Sequence, residues 1–444
     1  MTETKIIVLD DDPTGSQTVH SCLLLTRWDV ETLKQGLQDA APLFFILTNT
    51  RGMSAIEAAE LTREVCKNLR IALDELSAAG HSINPLLVSR SDSTLRGHYP
   101  VETDVIAEEL GPFDAHFMVP AFFEGGRKTI DSIHYLIVED KPVPVHETEF
   151  ANDSVFAYSH SYLPDYVEEK TRGRIKASQV ERFDLQDVRG DSLSRLLRLH
   201  DNICCVVDGE TQQDLDHFCS QLMQAAQQGK RFLFRSAASL LTALAQLPPQ
   251  PVAAEKMREY VRDDMAGAVI VGSHVKKTTQ QLNQLLLETG IEGIEVDVER
   301  LSHRQDSSRA QLLGDIINQV EHCHVKNITP VIYTSRTELQ FEDQQARLAF
   351  GEEVSAFLMD VVRNLPLTTG FLISKGGITS NDVLSDGLAL RTSRVVGQIL
   401  AGCSVVRCPQ DHPRYPNMPV VIFPGNVGDD NALATVLQRL NSDN

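Results

Sequence analysis

Three adjacent carboxylates, Asp10-Asp11-Asp12, follow the apolar run Lys5–Leu9 and lead into Pro13-Thr14-Gly15. Like charges held that close repel one another unless a cation, a basic side chain or a hydroxylated ligand sits among them. A capped turn at Pro13-Thr14-Gly15 is the plainer use of such residues, but it needs only one of the three. Residues of matching character follow the next apolar runs: Thr48-Asn49-Thr50-Arg51-Gly52 after Leu43–Leu47, Ser89 through His98 after Leu86–Val88, and Pro120 through Arg127 after His116–Val119. Arg51, Arg90, Arg96 and Arg127 thus stand near strand ends. The planar fork of arginine grips a carboxylate through two parallel hydrogen bonds; it serves equally to neutralise neighbouring aspartates. Carboxylates, hydroxyls and guanidinium groups together suit a polyhydroxylated acid as ligand.

The second half of the chain offers different chemistry. Its apolar runs end in Gly272-Ser273-His274, in Ser374-Lys375-Gly376-Gly377-Ile378-Thr379-Ser380, and in Pro424-Gly425-Asn426-Val427-Gly428-Asp429-Asp430. Glycine permits close backbone approach, and free N–H groups between a buried strand and a helix bind phosphate. Gly376-Gly377 stands in that context, ahead of the helical pattern Asn381–Leu390. Two such loops, with Thr379 and Ser380 adding hydroxyls, favour phosphate over a purely steric use of glycine. A Walker-type loop is excluded, because Lys276 occupies the place of its second glycine. Neither a dinucleotide fingerprint nor a GxSxG nucleophile elbow follows a strand.

The elements that position these loops are short apolar runs alternating with stretches of helical period such as Ala55–Leu76 and Thr278–Glu288. Strands apolar on both faces, alternating with helices, predict an α/β fold with largely parallel sheets covered on each side. Leu247-Pro248-Pro249-Gln250-Pro251 cannot continue a helix, and a charged helical stretch, Glu255–Asp264, is expected after it. Two α/β/α domains are therefore expected, residues 1–250 and 265–444. Ligands collect beyond the carboxyl ends of parallel strands. The active site is accordingly expected in the interdomain cleft, with the Asp12, Arg51 and Asp92 cluster facing Thr379.

Composition narrows the partners. The 444 residues carry 41 Lys+Arg against 61 Asp+Glu, a net charge of −20, which disfavours nucleic acid and anionic membrane surfaces. No apolar stretch reaches the roughly 18 residues of a membrane span, and the N-terminus has no signal-peptide pattern. The eight cysteines lack CxxC spacing and read as reduced core thiols of a cytoplasmic protein. His322-Cys323-His324, if on a strand, would point both imidazoles one way without further ligands, so no metal site is expected. A homodimer is the prior expectation for such an enzyme.

Taken together, these loops resemble the four-carbon acid sugar kinase family, which phosphorylates acids such as threonate, erythronate and 3-oxo-tetronate with ATP. The family's ADDFTG motif is similar to Asp10-Asp11-Asp12-Pro13-Thr14-Gly15, and its NTRS stretch to Asn49-Thr50-Arg51-Gly52. Its KxDSTLRGN signature is similar to Arg90-Ser91-Asp92-Ser93-Thr94-Leu95-Arg96-Gly97-His98, the most specific match. In the second half, GSxS…T looks like Gly272-Ser273…Thr278, GG[DE]TS like Gly376-Gly377-Ile378-Thr379-Ser380, and KSGGFG only loosely like Phe423–Gly428. Three departures mark a divergent member: Arg90 replaces a lysine, Ile378 replaces an acid, and the last motif's lysine is missing, with Lys375 nearby as a substitute charge.

The resemblance implies an N-terminal sugar-acid domain and a C-terminal nucleotide domain. Asp11, Asp12, Arg51, Arg90, Ser91, Asp92, Ser93 and Arg96 would bind the acid, with Asp11 or Asp92 accepting the proton of its terminal hydroxyl. Ser273, Lys375, Gly376, Gly377, Ile378, Thr379, Gly425 and Gly428 would hold ATP, with Mg²⁺ bridging the phosphates. Two rival readings remain. Asp10-Asp11-Asp12-Pro13-Thr14 also satisfies the DxDxT pattern of haloacid-dehalogenase-type phosphatases, with Asp10 as nucleophile, Asp12 as acid/base and Leu47-Thr48-Asn49 as second motif. That reading leaves Ser91–His98 and the glycine-rich half unused. A sugar-acid sensor without catalysis would fit Ile378 and the missing lysine.

Overall fold

Each apolar run named above coincides with a strand in the computed structural model, which describes residues 3–302, 306–336 and 344–441. The chain divides into two units, Met1–Pro249 and Gln250–Asn444.

The first unit contains strands β1 (Glu3–Asp10), β2 (Cys22–Leu25), β3 (Leu43–Leu47), β4 (Ile83–Arg90), β5 (Ala115–Val119), β6 (Arg127–Ile130), β7 (Ile133–Val138), β8 (Lys141–Pro144), β9 (Glu181–Phe183), β10 (Ile203–Val207) and β11 (Phe232–Ser236). Eight of them form a parallel sheet in the order β2-β3-β1-β4-β11-β5-β10-β9. Strands β6, β7 and β8 form a small antiparallel sheet. The chain builds first on one side of β1 and then crosses to the other, so the loops after β1 and β4 diverge at a topological switch point. Register fixes their level. Asp10 lies opposite both Leu47 and Arg90, and Arg90 lies opposite Ser236, so the loops opening at Asp11, Thr48, Ser91 and Ala237 leave one edge together.

The second unit contains β12 (Ala268–Val271), β13 (Ile291–Val296), β14 (Thr329–Thr334), β15 (Leu372–Lys375), β16 (Thr392–Leu400), β17 (Cys403–Arg407) and β18 (Pro419–Phe423). Their order is β13-β14-β12-β15-β18-β17-β16, parallel as far as β18 and antiparallel beyond. Val271, Lys375 and Phe423 share one level, so the three glycine-bearing loops also start from a common edge.

Three expectations are corrected. Glu255–Asp264 is not an α-helix but two short 3₁₀ segments, Ala254–Tyr260 and Arg262–Asp264, separated by extended Val261. No side chain caps the first segment, and Asp263 and Asp264 take positive φ of 50° and 52°. The helix expected over Asn381–Leu390 starts earlier, at Gly377, and widens into a π-helix over Val383–Gly387, where Ser385 Oγ donates back to the Asn381 carbonyl. His322-Cys323-His324 lies in the helix Asp306–Val325, so its two imidazoles diverge by about 200°; His322 is exposed and His324 buried. All eight cysteines are buried free thiols. Among the described residues no helix is long and apolar enough to cross a membrane.

Phe117 on β5 centres the aromatic core of the first unit, with ring centroids 5.3 Å from Phe232, 5.5 Å from Phe234 and 6.2 Å from Phe218. Truncation there leaves a cavity that rigid strands cannot close. Phe117→Ala is expected to lower the unfolding free energy of this unit by about 3–5 kcal/mol, read by urea denaturation.

Candidate functional site

At the edge shared by β1, β3 and β4, aspartates and arginines interleave. Arg51, in the turn after β3, donates from Nη2 to Asp11 Oδ1 at 2.5 Å, from Nε to Asp11 Oδ2 at 3.2 Å, and from Nη1 to Asp12 Oδ2 at 3.3 Å. Arg90, at the end of β4, donates to Asp10 Oδ1 at 3.3 Å and stands 3.8 Å from Asp11 Oδ1. Ser91 Oγ donates to Asp11 Oδ2 at 2.7 Å. Arg96 Nε donates to Asp92 Oδ2 at 2.8 Å, and the Thr94 hydroxyl donates to the same oxygen. Thr14 caps Asp12 through its N–H at 2.8 Å and through its hydroxyl. Asp12 thus does both: Oδ1 closes the turn, and Oδ2 joins Asp10 and Asp11 in the cluster with the arginines.

Burial decides the individual roles. Asp10 is fully buried, and burial pushes its carboxyl up to about 8 despite Arg90. Gly15 lies directly on this carboxyl: a Cβ there would fall 2.0 Å from Oδ2. No phosphate ester can reach an acid sealed in this way, which removes the nucleophile that the phosphatase reading needs. For Asp12 and Asp92 burial also pushes upward, but it is outweighed. Arg51 and Arg90 with the Thr14 bonds hold Asp12 below the usual carboxylate range, and Arg51 and Arg96 with Thr94 do so for Asp92. Both stay ionised at neutral pH. Glu102, whose Oε1 accepts from Thr50 Oγ1 at 2.5 Å, is pushed up to about 7, first by burial and then by Asp11.

The structure brings Asp11, Asp12, Arg51, Arg90, Ser91, Asp92 and Arg96 together as expected. Three of the arginines are already paired with aspartates, so they are not free forks waiting for substrate. Arg127 donates to the Gly125 carbonyl and pairs with no aspartate among the described residues, although it lies near enough to Asp92 and Arg96 to feel their charges. Ser93 contributes through its backbone carbonyl, which accepts from His134 Nε2 at 2.7 Å.

In the second unit the three glycine-bearing loops meet. Thr278 Oγ1 lies 3.1 Å from both Ser273 Oγ and the Gly425 carbonyl. Gly272 packs on Thr379, whose Oγ1 would be 2.3 Å from a Cβ there, and Gly376 takes φ +122° beside Ser273. Gly428, at φ +81°, closes the third loop, and Gln281 Nε2 donates to the carbonyls of Val427 and Asp429 at 2.9 and 2.7 Å. Two residues depart from expectation. Lys375 does not stand at the loop surface: it is fully buried, with Nζ donating to the Pro424 carbonyl at 2.6 Å and lying 4.0 Å over the Phe423 ring. Ile378, at the start of its helix, is 73% exposed and makes no part of the core.

Other residues join the sites without having been singled out for a role: Thr50, Glu102, His134, Tyr158, Tyr166 and Arg235 in the first unit, and Arg336 in the second, whose Nη1 donates to the Ser273 carbonyl at 2.6 Å. Arg235 and Arg336 follow the runs Phe232–Phe234 and Val331–Tyr333, so inspection of those strand ends would have reached them. The tyrosines and His134 come from segments distant in sequence, a loop, a helix and strand β7, and leave no local signal.

Comparison with known proteins agrees with this division. Residues 6–244 match the family described as "Sugar-binding N-terminal domain", and residues 268–433 match "Nucleotide-binding C-terminal domain". The chain is 25% identical over 227 residues to a D-erythronate kinase of Heliobacterium modesticaldum, covering 48% of this chain and 46% of that protein. It is 28% identical over 165 residues to a D-threonate kinase of Bordetella bronchiseptica, covering 35% of this chain and 37% of that one. The matches thus span less than half the length of these curated relatives. Among solved structures, a putative tRNA synthase from Salmonella typhimurium LT2 shares the fold at TM-score 0.71 and 17% identity, over 98% of both chains. A Haemophilus influenzae protein does so at TM-score 0.65 and 15% identity, over 98% of this chain and 100% of the other.

Burial lowers Lys375 to about 7 from the ordinary 10.5. Between those values the folded state holds fewer protons than the unfolded one, so this residue makes the second unit more stable as pH rises through that window. The melting-temperature difference between Lys375→Met and wild type is expected to shift in favour of wild type from pH 7 to pH 10.

Proposed function

Since the chain belongs to the four-carbon acid sugar kinase family, we propose that it transfers the terminal phosphoryl group of ATP to an alcohol oxygen of a small sugar acid of the erythronate or threonate type. The observation that carries this reading is the division of chemistry: interleaved aspartates and arginines at one strand edge, hydroxyls and close-packed glycines at the other. Phosphoryl transfer asks a protein mainly to orient donor and acceptor and to stabilise charge on the moving group. In this reading the first unit binds the acid and the second the nucleotide, through Ser273, Gly376, Gly377, Thr379, Gly425 and Gly428.

The aspartates divide the labour. Asp11 has both oxygens committed to Arg51 and Ser91, so it holds Arg51 in place. The bonds to Asp92 from Arg96 and Thr94 fall on Oδ2, which leaves Oδ1 for the substrate's hydroxyl proton. A low carboxylate pKa is tolerable there, because in a loose transition state the hydroxyl loses its proton late. Asp12 Oδ2 and Arg51 face the acid's hydroxyl groups.

Magnesium in a kinase site is held largely by phosphates and water, with one or two carboxylates. Ile378 offers none, and of the carboxylates on the third loop Asp430 pairs with Lys277 at 3.3 Å; the chain thus fits a nucleotide-borne Mg²⁺ with Asp429 alongside, rather than a protein cage. When bound, the ion would neutralise charge on the phosphates.

Incubation with ATP, Mg²⁺ and a panel of three- to six-carbon sugar acids tests the reading. ADP and a phosphorylated acid are expected, whereas phosphate release alone, or no nucleotide consumed with any acid, would sink it. The two aspartates should separate kinetically. Asp92→Asn is expected to lower kcat by about 10²–10⁴ with little change in acid KM. Asp11→Asn should release Arg51 and raise acid KM as well. Equal effects of both on KM would reverse the assignment.

A further inference from the structure

The turn Asp92–Arg96 is gripped by its carbonyls. Arg235 Nη2 donates to the Asp92 carbonyl at 2.9 Å and to the Arg96 carbonyl at 3.0 Å. His134 Nε2 reaches the Ser93 carbonyl, Tyr158 OH the Thr94 carbonyl at 2.7 Å, and Tyr166 OH the Leu95 carbonyl at 2.7 Å. Five consecutive carbonyl oxygens thus accept from four buried side chains, which come from β11, β7, the loop after Asn152 and the helix Leu163–Lys170. A carbonyl only accepts, so His134 carries its proton on Nε2 and takes the Thr129 hydroxyl, 2.9 Å away, on Nδ1. Burial lowers this imidazole to about 4, so it serves as a neutral donor.

Ordinary turns leave their carbonyls to water or to the next turn of backbone. Here all five are taken by buried side chains. Leu95, fully buried, is held at φ +69°, and Gly97 follows at φ +119°. Left-handed residues in a strand-end loop are a recurring part of backbone anion sites; the Leu95 N–H itself is taken by the Asp92 carbonyl at 3.3 Å. Arg235 adds a buried charge that only the more distant Glu102 carboxyl offsets. It is 1% exposed, its Nε and Nη1 have no hydrogen-bond partner, and among the described residues no carboxylate forms a salt bridge with it. A buried cation so weakly compensated favours an anion bound near it.

We propose that Arg235, supported by His134, Tyr158 and Tyr166, is the positioning residue that sets affinity for the carboxylate of the sugar acid: it clamps the Asp92–Arg96 turn so that the N–H edge opposite its carbonyls receives that carboxylate. The inference rests on the sugar-acid reading above and adds to it the part of the chain that recognises the acid group. A neutral sugar of the same length, such as erythritol, gains nothing from this arrangement.

The test is steady-state kinetics of wild type, Arg235→Met, Arg235→Lys and Tyr158→Phe with ATP and D-erythronate or D-threonate. Arg235→Met is expected to raise the acid KM by about tenfold or more while the ATP KM stays unchanged, with Arg235→Lys recovering part of the loss. An acid KM within twofold of wild type in a folded Arg235→Met protein overturns the proposal. Should that variant fail to fold, Tyr158→Phe decides: it keeps the ring and deletes one donor, and it is expected to raise acid KM about threefold or more, no change being fatal. Calorimetry with the acid alone keeps the two readings apart. Acid that binds wild type but is never phosphorylated ends the kinase reading, and Arg235 is then judged by the Kd of its variants. Wild type that binds no acid ends both.

Discussion

The constraint on which the first unit depends is the burial of several carboxylates at one sheet edge. Parallel register places Asp10 level with Arg90 and brings the residues that follow each strand within reach of one another. At low local dielectric these carboxylates are compensated by guanidinium groups: Asp10 by Arg90 on the neighbouring strand, Asp11 and Asp12 by Arg51 from the turn after β3, and Asp92 by Arg96 of its own turn. Arg51 is the shared member. Removing one partner of such a buried set costs about 3–5 kcal/mol, since the other is left uncompensated. The cluster is therefore stiff, and a ligand entering it meets groups whose positions and charge states are already decided. Asp10, too deep to be compensated fully, answers by holding its proton instead.

A second device recurs in both units: a buried or half-buried cation beneath a strand-end loop, bonded to the loop's carbonyls rather than to a carboxylate. Arg235 does this for Asp92 and Arg96, Lys375 for Pro424 and Gly425, and Arg336 for Ser273. Such a cation fixes the loop by the oxygen side of its peptides and leaves the N–H side to face outward. It also raises the local potential without offering a flexible side chain to solvent. In a chain of net charge −20, attraction for an anion has to be built locally, and burial concentrates it because water screens it less.

The sequence discloses the parts of this that are local. Apolar runs ended by polar or glycine residues mark the strands and the edge, and the spacing from Asp10 to Arg51 to Arg90–His98 marks the first cluster. What escapes is whatever depends on contact between distant segments. Tyr158 and Tyr166 look like ordinary core aromatics in sequence, and only the folded chain shows their hydroxyls on Thr94 and Leu95. Strands β9, β13, β16 and β17 are short, or polar on one face; β16 in addition is broken by register shifts around Gly397 and Gln398, which blurs the alternation by which a strand is recognised. The helix at Gly377 begins earlier than its apolar period does, because the buried positions of its first turn are filled by Thr379 and Ser380, whose polar side chains do not register in an apolar period.

The departures from the family's motifs acquire a physical meaning in this setting. Arg90 in place of lysine does not extend toward a ligand; it lies between Asp10 and Asp11, 4% exposed, with its Nη1 3.3 Å from Asp10 Oδ1 and 3.8 Å from Asp11 Oδ1. Ile378 replaces an acid at a position that the structure leaves in solvent, so the exchange costs little stability and alters what that loop presents to solvent. The lysine missing from the last motif is matched by Lys375, but from below: its charge reaches the third loop through the carbonyls of Pro424 and Gly425. Taken with its lowered pKa of about 7, this makes the charge under the glycine-bearing loops depend on protonation near neutrality, where a solvent-exposed lysine would stay fully charged. The divergence of this chain is thus concentrated in how cations are placed beneath its loops, while the aspartates and glycines that the loops themselves carry keep the family's pattern.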